Sequence, residues 1–391
     1  MNGSKATKLL QIGFLAGIAL FLLCSLGKAM LFPKDINTYE NRKANQTPPL
    51  TLSNFLSSQF QDGLEAALSD QVPGAEALKH RYNTLESTLS FYALGGLYDA
   101  YPNRYFRYNK ALVFQSDYLL YEPRPLTEDS QAAFDRKLAS ITSVASSHPE
   151  LDFHVFYIEK DTDMNFETGA DCGNYSYIAE HSDPDLYSLS YYPITDFSEF
   201  SQSFYQTDHH WNHVGSYKAY LQLCEELGLS DPVEKGEEFQ VASHLEGSKL
   251  SLANHSSAIS EPMYAYRFSF PTMEISVNGE IVSDYGRQNQ SFGATATYGQ
   301  YYGSDMGEIL FSTGDAEKEN LLVIGESYDN AVLKLLATHF NKTCSIDLRY
   351  YEHYMGQPFD FDTYVRTHEI HRVLFIGNID FFVMDEFNVR G

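Results

Sequence analysis

The chain has 391 residues, of which 27 are basic and 52 acidic, so its formal net charge is −25. This length exceeds what one compact core usually holds, and two folded units are expected. Hydrophobic residues make up 43% of the sequence and aromatic residues 15%, which favours a packed globular protein over a disordered one. The charge disfavours nucleic acid and anionic lipid surfaces as partners, because polyanions bind through Lys and Arg. A neutral or weakly charged ligand such as a glycan fits better.

The N-terminal segment has the features of a membrane anchor. Lys5 and Lys8 precede an uncharged apolar run from Leu9 to Leu26. A run of this length is sufficient to cross a bilayer. The preceding lysines predict that the N-terminus stays inside and that the remainder of the chain is exported. A cleaved signal peptide, leaving a secreted protein, is the alternative, because residues 25–27 (Ser-Leu-Gly) would pass as a small-residue cleavage site.

The four cysteines do not form a recognisable metal motif. Cys24 lies in the apolar segment, while Cys172, Cys224 and Cys344 are dispersed and form no CxxC pair. This spacing excludes a zinc ribbon. Outside the cytoplasm, one disulfide among the last three cysteines would leave one thiol unpaired, and the sequence leaves the pairing open.

The pattern after the apolar segment predicts alternating helices and strands. The stretch ENRKANQTPPL, within residues 32–50, is typical of an extended linker. Helical periodicity follows, interrupted at Pro73-Gly74, in segments 51–72, 75–89, 127–146, 214–228 and 331–340. Short β-rich runs predict strands at 151–159, 320–325, 343–348 and 371–377.

This alternation predicts an α/β fold with a mainly parallel sheet covered by helices. Residues from about 230 to 310 differ, since helical periodicity is weak there and Asn278-Gly279 predicts a tight β-hairpin. We therefore expect a membrane anchor or signal at 1–31, a linker at 32–50, and an α/β domain at 51–391 with a β-rich insertion.

The segment QTDHHWNH, residues 206–213, contains three histidines, one aspartate and the only tryptophan of the chain. It suits either a metal site or the acid–base half of a serine nucleophile site. For a metal, His209 and His213 lie four residues apart and Asp208 would join them. That set lacks an evident fourth ligand, and the H-E-x-x-H pattern is absent.

A serine near the C-terminus favours the second interpretation. The strand NLLVIG leads into Glu326 and Ser327 and then into a helix, which places Ser327 where ligands bind open α/β sheets. A serine hydroxyl needs an adjacent base. His210 would take its proton, and Asp208 would orient the imidazole. The alternatives are that Ser327 caps its helix and that Asp208 caps a helix beginning near Trp211.

The sequence resembles the DHHW protein family, and the likeness extends beyond one motif. It rests on TDHHW, on ENRKANQTPPLTLSNFLSSQFQDGLEAALSDQVPG, on GESYDNAV and on SIDLRYY, and it spans roughly residues 39–380. That family is similar, more distantly, to the SGNH-hydrolase-like alginate O-acetyltransferases.

The resemblance implies an SGNH-like three-layer α/β/α domain in which Asp208, His210 and Ser327 transfer acyl groups, usually acetyl, to or from carbohydrate hydroxyls. It also implies a carbohydrate substrate and a polytopic membrane acyltransferase as a partner. We expect no metal and no cofactor. Cell-surface polysaccharide modification follows as the expected setting.

Further site residues are predicted with less specific signals. Gly303 and Asn378 are candidates for an oxyanion element, and aromatic side chains would line a glycan cleft: Trp211, Tyr301, Tyr302 and Tyr328. Glu326 departs from the family's usual Asp before the serine, which puts the activity in doubt if that carboxylate matters. A non-catalytic extracytoplasmic protein that binds a glycan or a partner is therefore the alternative.

Overall fold

The computed structural model describes residues 2–34, 36–37, 42–115, 117–253 and 259–389. The chain forms two compact units, one within residues 1–93 and one formed by residues 94–253 and 259–391.

The helices are α1 (Asn2–Leu31), α2 (Leu52–Leu56), α3 (Gln59–Gln71), α4 (Ala75–Ala100), α5 (Glu128–Ser147), α6 (Asn174–His181), α7 (Phe197–Ser203), α8 (His213–Glu226), α9 (Tyr298–Tyr302), α10 (Asn330–Ala337), α11 (Leu348–Met355), α12 (Phe361–His368) and α13 (Ile379–Val383). The strands are β1 (Ile36–Asn37), β2 (Arg42–Lys43), β3 (Phe106–Tyr108), β4 (Ala111–Phe114), β5 (Tyr118–Leu120), β6 (Asp152–Ile158), β7 (Met164–Asn165), β8 (Ala170–Asp171), β9 (Ser188–Tyr192), β10 (Glu238–Leu245), β11 (Met263–Tyr266), β12 (Glu274–Val277), β13 (Glu280–Val282), β14 (Gly293–Ala296), β15 (Glu308–Ser312), β16 (Asn320–Ile324), β17 (Lys342–Ile346) and β18 (Arg372–Gly377).

The first unit begins with the predicted apolar helix. Within α1, residues Leu10–Leu31 have a mean hydropathy of 2.1, so this helix is long and apolar enough to cross a membrane, as a signal sequence also is. The predicted linker is held by hydrogen bonds to α3. The Asn45 backbone N–H donates to Asp70 Oδ2 at 2.8 Å, and Gln71 Nε2 donates to the Lys34 carbonyl at 3.0 Å.

The main sheet of the second unit has eight strands in the order β13-β12-β15-β17-β16-β18-β6-β9. The five strands from β17 to β9 are parallel, and β15, β12 and β13 continue the sheet antiparallel. The prediction of a mainly parallel sheet was wrong in this respect. The hairpin at Asn278-Gly279 is confirmed, with φ of 49° and 81°, but its strands extend the main sheet. A separate three-stranded sheet, β11-β10-β14, comes from the same segment.

Helices cover both faces of this sheet and give it three layers. Alternate residues of β6 point to opposite faces, so Phe156 and Ile158 join one apolar core while Val155 and Tyr157 join the other. Helices α8 and α10 supply the first core, and α5, α12 and α13 supply the second. Because both faces are buried, the central strands are apolar at nearly every position, and β16 is apolar from Leu321 to Ile324 after a buried Asn320.

The cysteines contribute to packing as free thiols. Cys172, Cys224 and Cys344 are buried, and no disulfide joins the cysteines of the described chain. Burial raises the pKa of the Cys172 and Cys224 thiols to about 11 and that of Cys344 to about 12. These groups are therefore protonated and unreactive at neutral pH.

Candidate active site

Ser327 lies in the turn that connects β16 to α10, at the carboxyl end of a central parallel strand. The turn requires glycine at position 325, because a Cβ there would lie 2.5 Å from Asp329 Oδ2 and 2.9 Å from the Ile376 side chain. Asp329, not Ser327, occupies the N-cap position of α10. The interpretation of Ser327 as a helix cap was therefore wrong, and its hydroxyl is available for other contacts.

The loop between α7 and α8 brings His210 to this serine. His210 Nε2 lies 2.8 Å from Ser327 Oγ, and His210 Nδ1 lies 2.6 Å from Asp208 Oδ1. Asn212 caps α8 by accepting hydrogen bonds from the next turn, so the interpretation of Asp208 as that cap was also wrong. The three residues selected from the sequence thus form one continuous hydrogen-bonded series.

Asp208 is buried and held from both of its oxygens. Oδ1 accepts the His210 backbone N–H at 3.0 Å as well as the ring contact, and Oδ2 accepts the Ser248 N–H at 2.8 Å. Burial alone would raise the pKa of this carboxyl, but the adjacent His210 imidazole and these hydrogen bonds hold the pKa well below its usual range. An ionised Asp208 places the imidazole proton on Nδ1 and leaves Nε2 as an acceptor facing Ser327.

Two tyrosines fix the positions of the imidazole and of the neighbouring backbone. The Tyr298 ring stacks on the His210 ring with centroids 3.7 Å apart and planes inclined by 1°, and its hydroxyl donates to the Ser327 carbonyl at 3.2 Å. The Tyr328 hydroxyl donates to the His209 carbonyl. Stacking on a buried ring restricts rotation of the imidazole, so the contact with Ser327 does not depend on hydrogen bonds alone.

Contacts from distant segments anchor the loop that carries Asp208. Glu261 accepts the backbone N–H groups of Gln206 at 3.0 Å and of Thr207 at 2.6 Å. Lys249 donates its N–H to the Thr207 carbonyl at 2.9 Å. Gly247 approaches the loop so closely that a Cβ at this position would lie 2.3 Å from the Thr207 carbonyl oxygen.

Glu326, the residue that departs from the family pattern, contacts the serine with its side chain. Its Oε2 accepts the Ser327 hydroxyl at 3.3 Å, and its Oε1 accepts the Asn378 Nδ2–H at 2.8 Å and the Asn378 backbone N–H at 3.3 Å. Burial raises the pKa of this carboxyl to about 7. Its protonation state therefore changes near neutral pH, directly beside the nucleophile candidate.

A cleft of about 670 Å³ opens in front of Ser327. Its lining includes three residues to which no motif signal in the sequence assigns a role: Tyr298, Asp305 and Arg349. Arg349 donates to Asp305 at 2.8 Å and to Asp347 at 2.5 Å, so its charge is neutralised in place. The signal for Arg349 was present in SIDLRYY, whereas Tyr298 is one of 29 tyrosines and stands in no motif.

The structure corrects most of the predicted substrate contacts. Gly303 and Asn378 line the cleft, but Trp211, Tyr301, Tyr302 and Tyr328 are at most 5% exposed and pack behind it. The N–H of Gly303 donates to the Gly299 carbonyl at 3.0 Å, and Asn378 donates to Glu326, so both candidate oxyanion donors are already engaged. The aromatic residues support the site instead; a sequence of this composition does not distinguish a cleft wall from a core.

The residues of the metal interpretation do not converge as that interpretation required. His213 Nε2 contacts Glu238 at 3.1 Å, while Asp208 contacts His210. A different set, Asp208, His209 and His210, offers ligand atoms within 4.8 Å of one another. In this set Ser248 Oγ lies 2.6 Å from His209 Nδ1, and both His210 nitrogens have hydrogen-bond partners, so a metal would have to displace these contacts.

Comparison with solved structures identifies the fold. Bacillus cereus PatB1 superposes with a TM-score of 0.57 at 20% identity, covering 73% of this chain and 99% of PatB1, and its sulfonyl adduct gives 0.56 at 19%, covering 74% and 99%. A DHHW family protein from Eubacterium siraeum gives 0.56 at 14%, covering 72% and 95%. The O-acetyltransferase domain of Pseudomonas putida AlgJ gives 0.39 at 11%, covering 71% and 91%. No family model and no curated protein matches the sequence.

The chain therefore shares its fold with PatB1 and with a DHHW family protein, which agrees with the resemblance drawn from the sequence. Identities of 20% and below establish the fold alone. The chemical argument rests on the geometry of the site.

Proposed function

We propose that this protein is a membrane-anchored, extracytoplasmic enzyme that transfers acyl groups, acetyl above all, to or from carbohydrate hydroxyls. The observation that carries this proposal is the series Asp208–His210–Ser327, with contacts of 2.6 and 2.8 Å, at the wall of an open cleft. The same series of carboxylate, imidazole and hydroxyl activates serine on several unrelated folds.

In the first step, Ser327 Oγ attacks the carbonyl carbon of a donor ester while His210 Nε2 takes the hydroxyl proton. The bond between the carbonyl carbon and the leaving oxygen breaks, and the leaving alcohol takes the proton from His210. The acyl group is then esterified to Ser327. Asp208, ionised throughout, stabilises the imidazolium that forms in between.

In the second step, a sugar hydroxyl attacks the acyl-serine and gives its proton to His210. The bond to Ser327 Oγ breaks, Oγ regains the proton, and the sugar ester leaves. Water in place of the sugar gives hydrolysis. The Ser327 backbone N–H, which has no acceptor among the described residues, supports the proposal as a donor for the developing oxyanion.

The apolar helix α1 supports the setting of this reaction. A chain tethered by one helix would meet its acyl donor at the membrane, and the proposed donor is a polytopic membrane acyltransferase that passes acetyl groups outward. The resemblance to the DHHW family suggested this partner and a cell-surface polysaccharide as acceptor. Both remain parts of the proposal.

The first test is hydrolysis of a chromogenic acetyl ester by the full-length protein in detergent. We expect Ser327→Ala and His210→Ala each to lose at least about a hundredfold in kcat/KM. Ser304→Ala is the matched control, because Ser304 lines the same cleft and is exposed but has no histidine partner among the described hydrogen bonds. It should retain wild-type activity.

A second measurement separates inactivity from the lack of a suitable substrate. An aryl sulfonyl fluoride, which releases fluoride as a serine oxygen bonds to its sulfur, should label Ser327 in the wild type and fail in His210→Ala. Absence of both turnover and labelling would favour the alternative, a non-catalytic glycan- or partner-binding protein. Equal activity in all variants would place the reaction elsewhere in the chain.

A further inference from the structure

Two exposed tyrosines line the same cleft as Ser327 and take no part in the chemistry described above. Tyr350 is 37% exposed and Tyr354 47% exposed, and both line the cleft. They lie four residues apart on α11, on the same side of that helix, with ring centroids separated by 6.5 Å. By contrast Tyr298, at the back of the same cleft, is 4% exposed.

Exposed aromatic side chains in a concave site usually serve a ligand. In the described part of the second unit, few large apolar side chains remain exposed, and these two are the ones that line the cleft. Burying aromatic surface is favourable, so a ligand that covers these two rings gains binding free energy. Rings of this kind stack against the flat apolar faces of sugars.

The helix that carries these rings is firmly placed. Asp347 caps α11 by accepting the Arg349 N–H at 3.0 Å, and the Arg349 guanidinium is held by Asp305 and Asp347. The guanidinium carbon lies 5.1 Å from the centroid of the Tyr350 ring. In the described hydrogen bonds, the guanidinium donates through Nε and Nη2. Its Nη1 therefore has two N–H groups that can donate to a sugar hydroxyl.

The charges around the rings select against anionic sugars. Among the described residues that line the cleft, Arg349 is the one Lys or Arg. The carboxylates of Asp305 and Asp347 neutralise its charge. Asp305, Glu326 and Asp380 also line the cleft, whereas Arg124 and Lys160, which pair with Asp380, do not. A uronate carboxylate would therefore meet carboxyl groups and no unpaired cation, whereas an uncharged sugar loses nothing.

We propose that Tyr350 and Tyr354 form a stacking platform that binds an uncharged hexose unit of the acceptor polysaccharide beside Ser327. This inference rests on the proposed acyl transfer, for which it names the class of acceptor. The acceptor is a neutral glycan, and polyuronates are excluded from the cleft.

Binding measured apart from catalysis tests the platform. The probes are cellohexaose, chitohexaose and mannohexaose as uncharged oligosaccharides and hexagalacturonate as the anionic one, titrated by calorimetry into the full-length Ser327→Ala protein. We expect at least one uncharged probe to bind, and hexagalacturonate to bind at least about tenfold more weakly. Because the serine is absent, this result stands or falls separately from the chemistry at Ser327.

Variants then locate the contact. Tyr350→Ala and Tyr354→Ala should each weaken binding of the uncharged probe about fivefold or more, whereas Tyr350→Phe and Tyr354→Phe, which keep the ring, should restore it. Tyr101→Ala removes a tyrosine that is 57% exposed and does not line the cleft, and it should change nothing. Failure of all uncharged probes to bind, equal binding of hexagalacturonate, or unchanged affinity in both alanine variants would each overturn the proposal.

Discussion

Two loops meet at Ser327, and each contributes one buried carboxyl group. On the loop between α7 and α8, Asp208 receives the His210 ring and two backbone N–H groups, and its pKa is held well below the usual range. On the loop between β16 and α10, Glu326 receives only the amide groups of Asn378 and the Ser327 hydroxyl, and burial raises its pKa to about 7. Both carboxyl groups are buried, yet the pKa of Asp208 is lowered and that of Glu326 is raised.

The difference shows that a neighbouring imidazole and its accompanying N–H donors can outweigh the effect of burial on the pKa of a carboxyl. A carboxylate that accepts several N–H bonds beside an imidazole is stabilised as the anion, while one with few neutral donors is stabilised as the acid. Where two such groups flank a reactive serine, the ionised one is suited to supporting proton transfer and the titrating one to controlling it.

The largest effect is expected from Asp208→Asn. The amide keeps the size of the side chain but offers no negative charge, and it favours the imidazole tautomer with the proton on Nε2, which leaves Ser327 without an acceptor. We expect kcat for a chromogenic acetyl ester to fall about 10³- to 10⁴-fold, a scale typical of such a change.

Circular dichroism and thermal unfolding check that the Asp208→Asn protein is folded. A loss of less than about tenfold in a folded protein would contradict the role assigned to this loop and remove the contrast with Glu326. Asp305→Asn serves as the control, because Asp305 lines the cleft but pairs with Arg349 and has no described contact with His210.

The second prediction concerns how the Asp208 loop is held. In Gly247→Ala, the added methyl would lie 2.3 Å from the Thr207 carbonyl oxygen, so backbone has to move. Such overpacking costs about 1–3 kcal/mol of unfolding free energy, measured by denaturant titration. Gly96→Ala, inside α4 with no atom within 4 Å of the new methyl, should instead leave stability unchanged or raise it by about 0.5–1 kcal/mol.

Sequence reasoning selected Asp208, His210 and Ser327, which the structure brings into contact, because each stands in a short motif and because the resemblance linked the motifs. It did not recover Ser248, Glu261 or Tyr298, which hold those residues in place. They come from segments without periodic or motif signals, and only the folded chain brings them near the loop. Contacts of this kind have no local signature in a sequence.

The fold was predicted to a similar extent. Apolar periodicity and β-rich runs located β6, β16, β17 and β18, together with α5, α8 and α10. They did not predict β15 at Glu308–Ser312, nor that the sheet continues antiparallel there, because a strand's apolar pattern does not state the direction of its neighbour. The aromatic residues behind the cleft were misjudged for a related reason, since side-chain type does not state which surface a ring faces.

The third prediction concerns Tyr298 and separates the contribution of its ring from that of its hydroxyl. Tyr298→Ala removes the ring that stacks on His210 at 3.7 Å and opens space into which the imidazole can rotate. We expect kcat to fall about ten- to a hundredfold, since small misplacements of a reacting group have effects of this size. Tyr298→Phe keeps the ring and should lose less than about tenfold, the cost of one hydrogen bond to the Ser327 carbonyl. Equal losses in both variants would assign the effect to the hydroxyl and not to stacking.

The smallest effect, and the one that bears most directly on the contrast, is the pH dependence conferred by Glu326. Below pH 7 the protonated form predominates, and the Ser327 hydroxyl is free to donate to His210. As the pH rises through about 7, the carboxylate forms and competes for that proton across 3.3 Å. It also repels the negative charge that develops on the substrate oxygen. Wild-type kcat/KM is therefore expected to decline several-fold above pH 7.

In Glu326→Gln the amide still accepts from Asn378 through its oxygen but never ionises, so the decline above pH 7 should disappear while activity near pH 6 changes less than about tenfold. Glu180→Gln, which removes an exposed carboxyl on α6, should retain the wild-type profile. If the profiles of wild type and Glu326→Gln superimpose, Glu326 does not control the serine, and its departure from the family's aspartate is a matter of packing. If Glu326→Gln is inactive at every pH, the carboxyl participates directly, and the division of roles between the two loops is wrong.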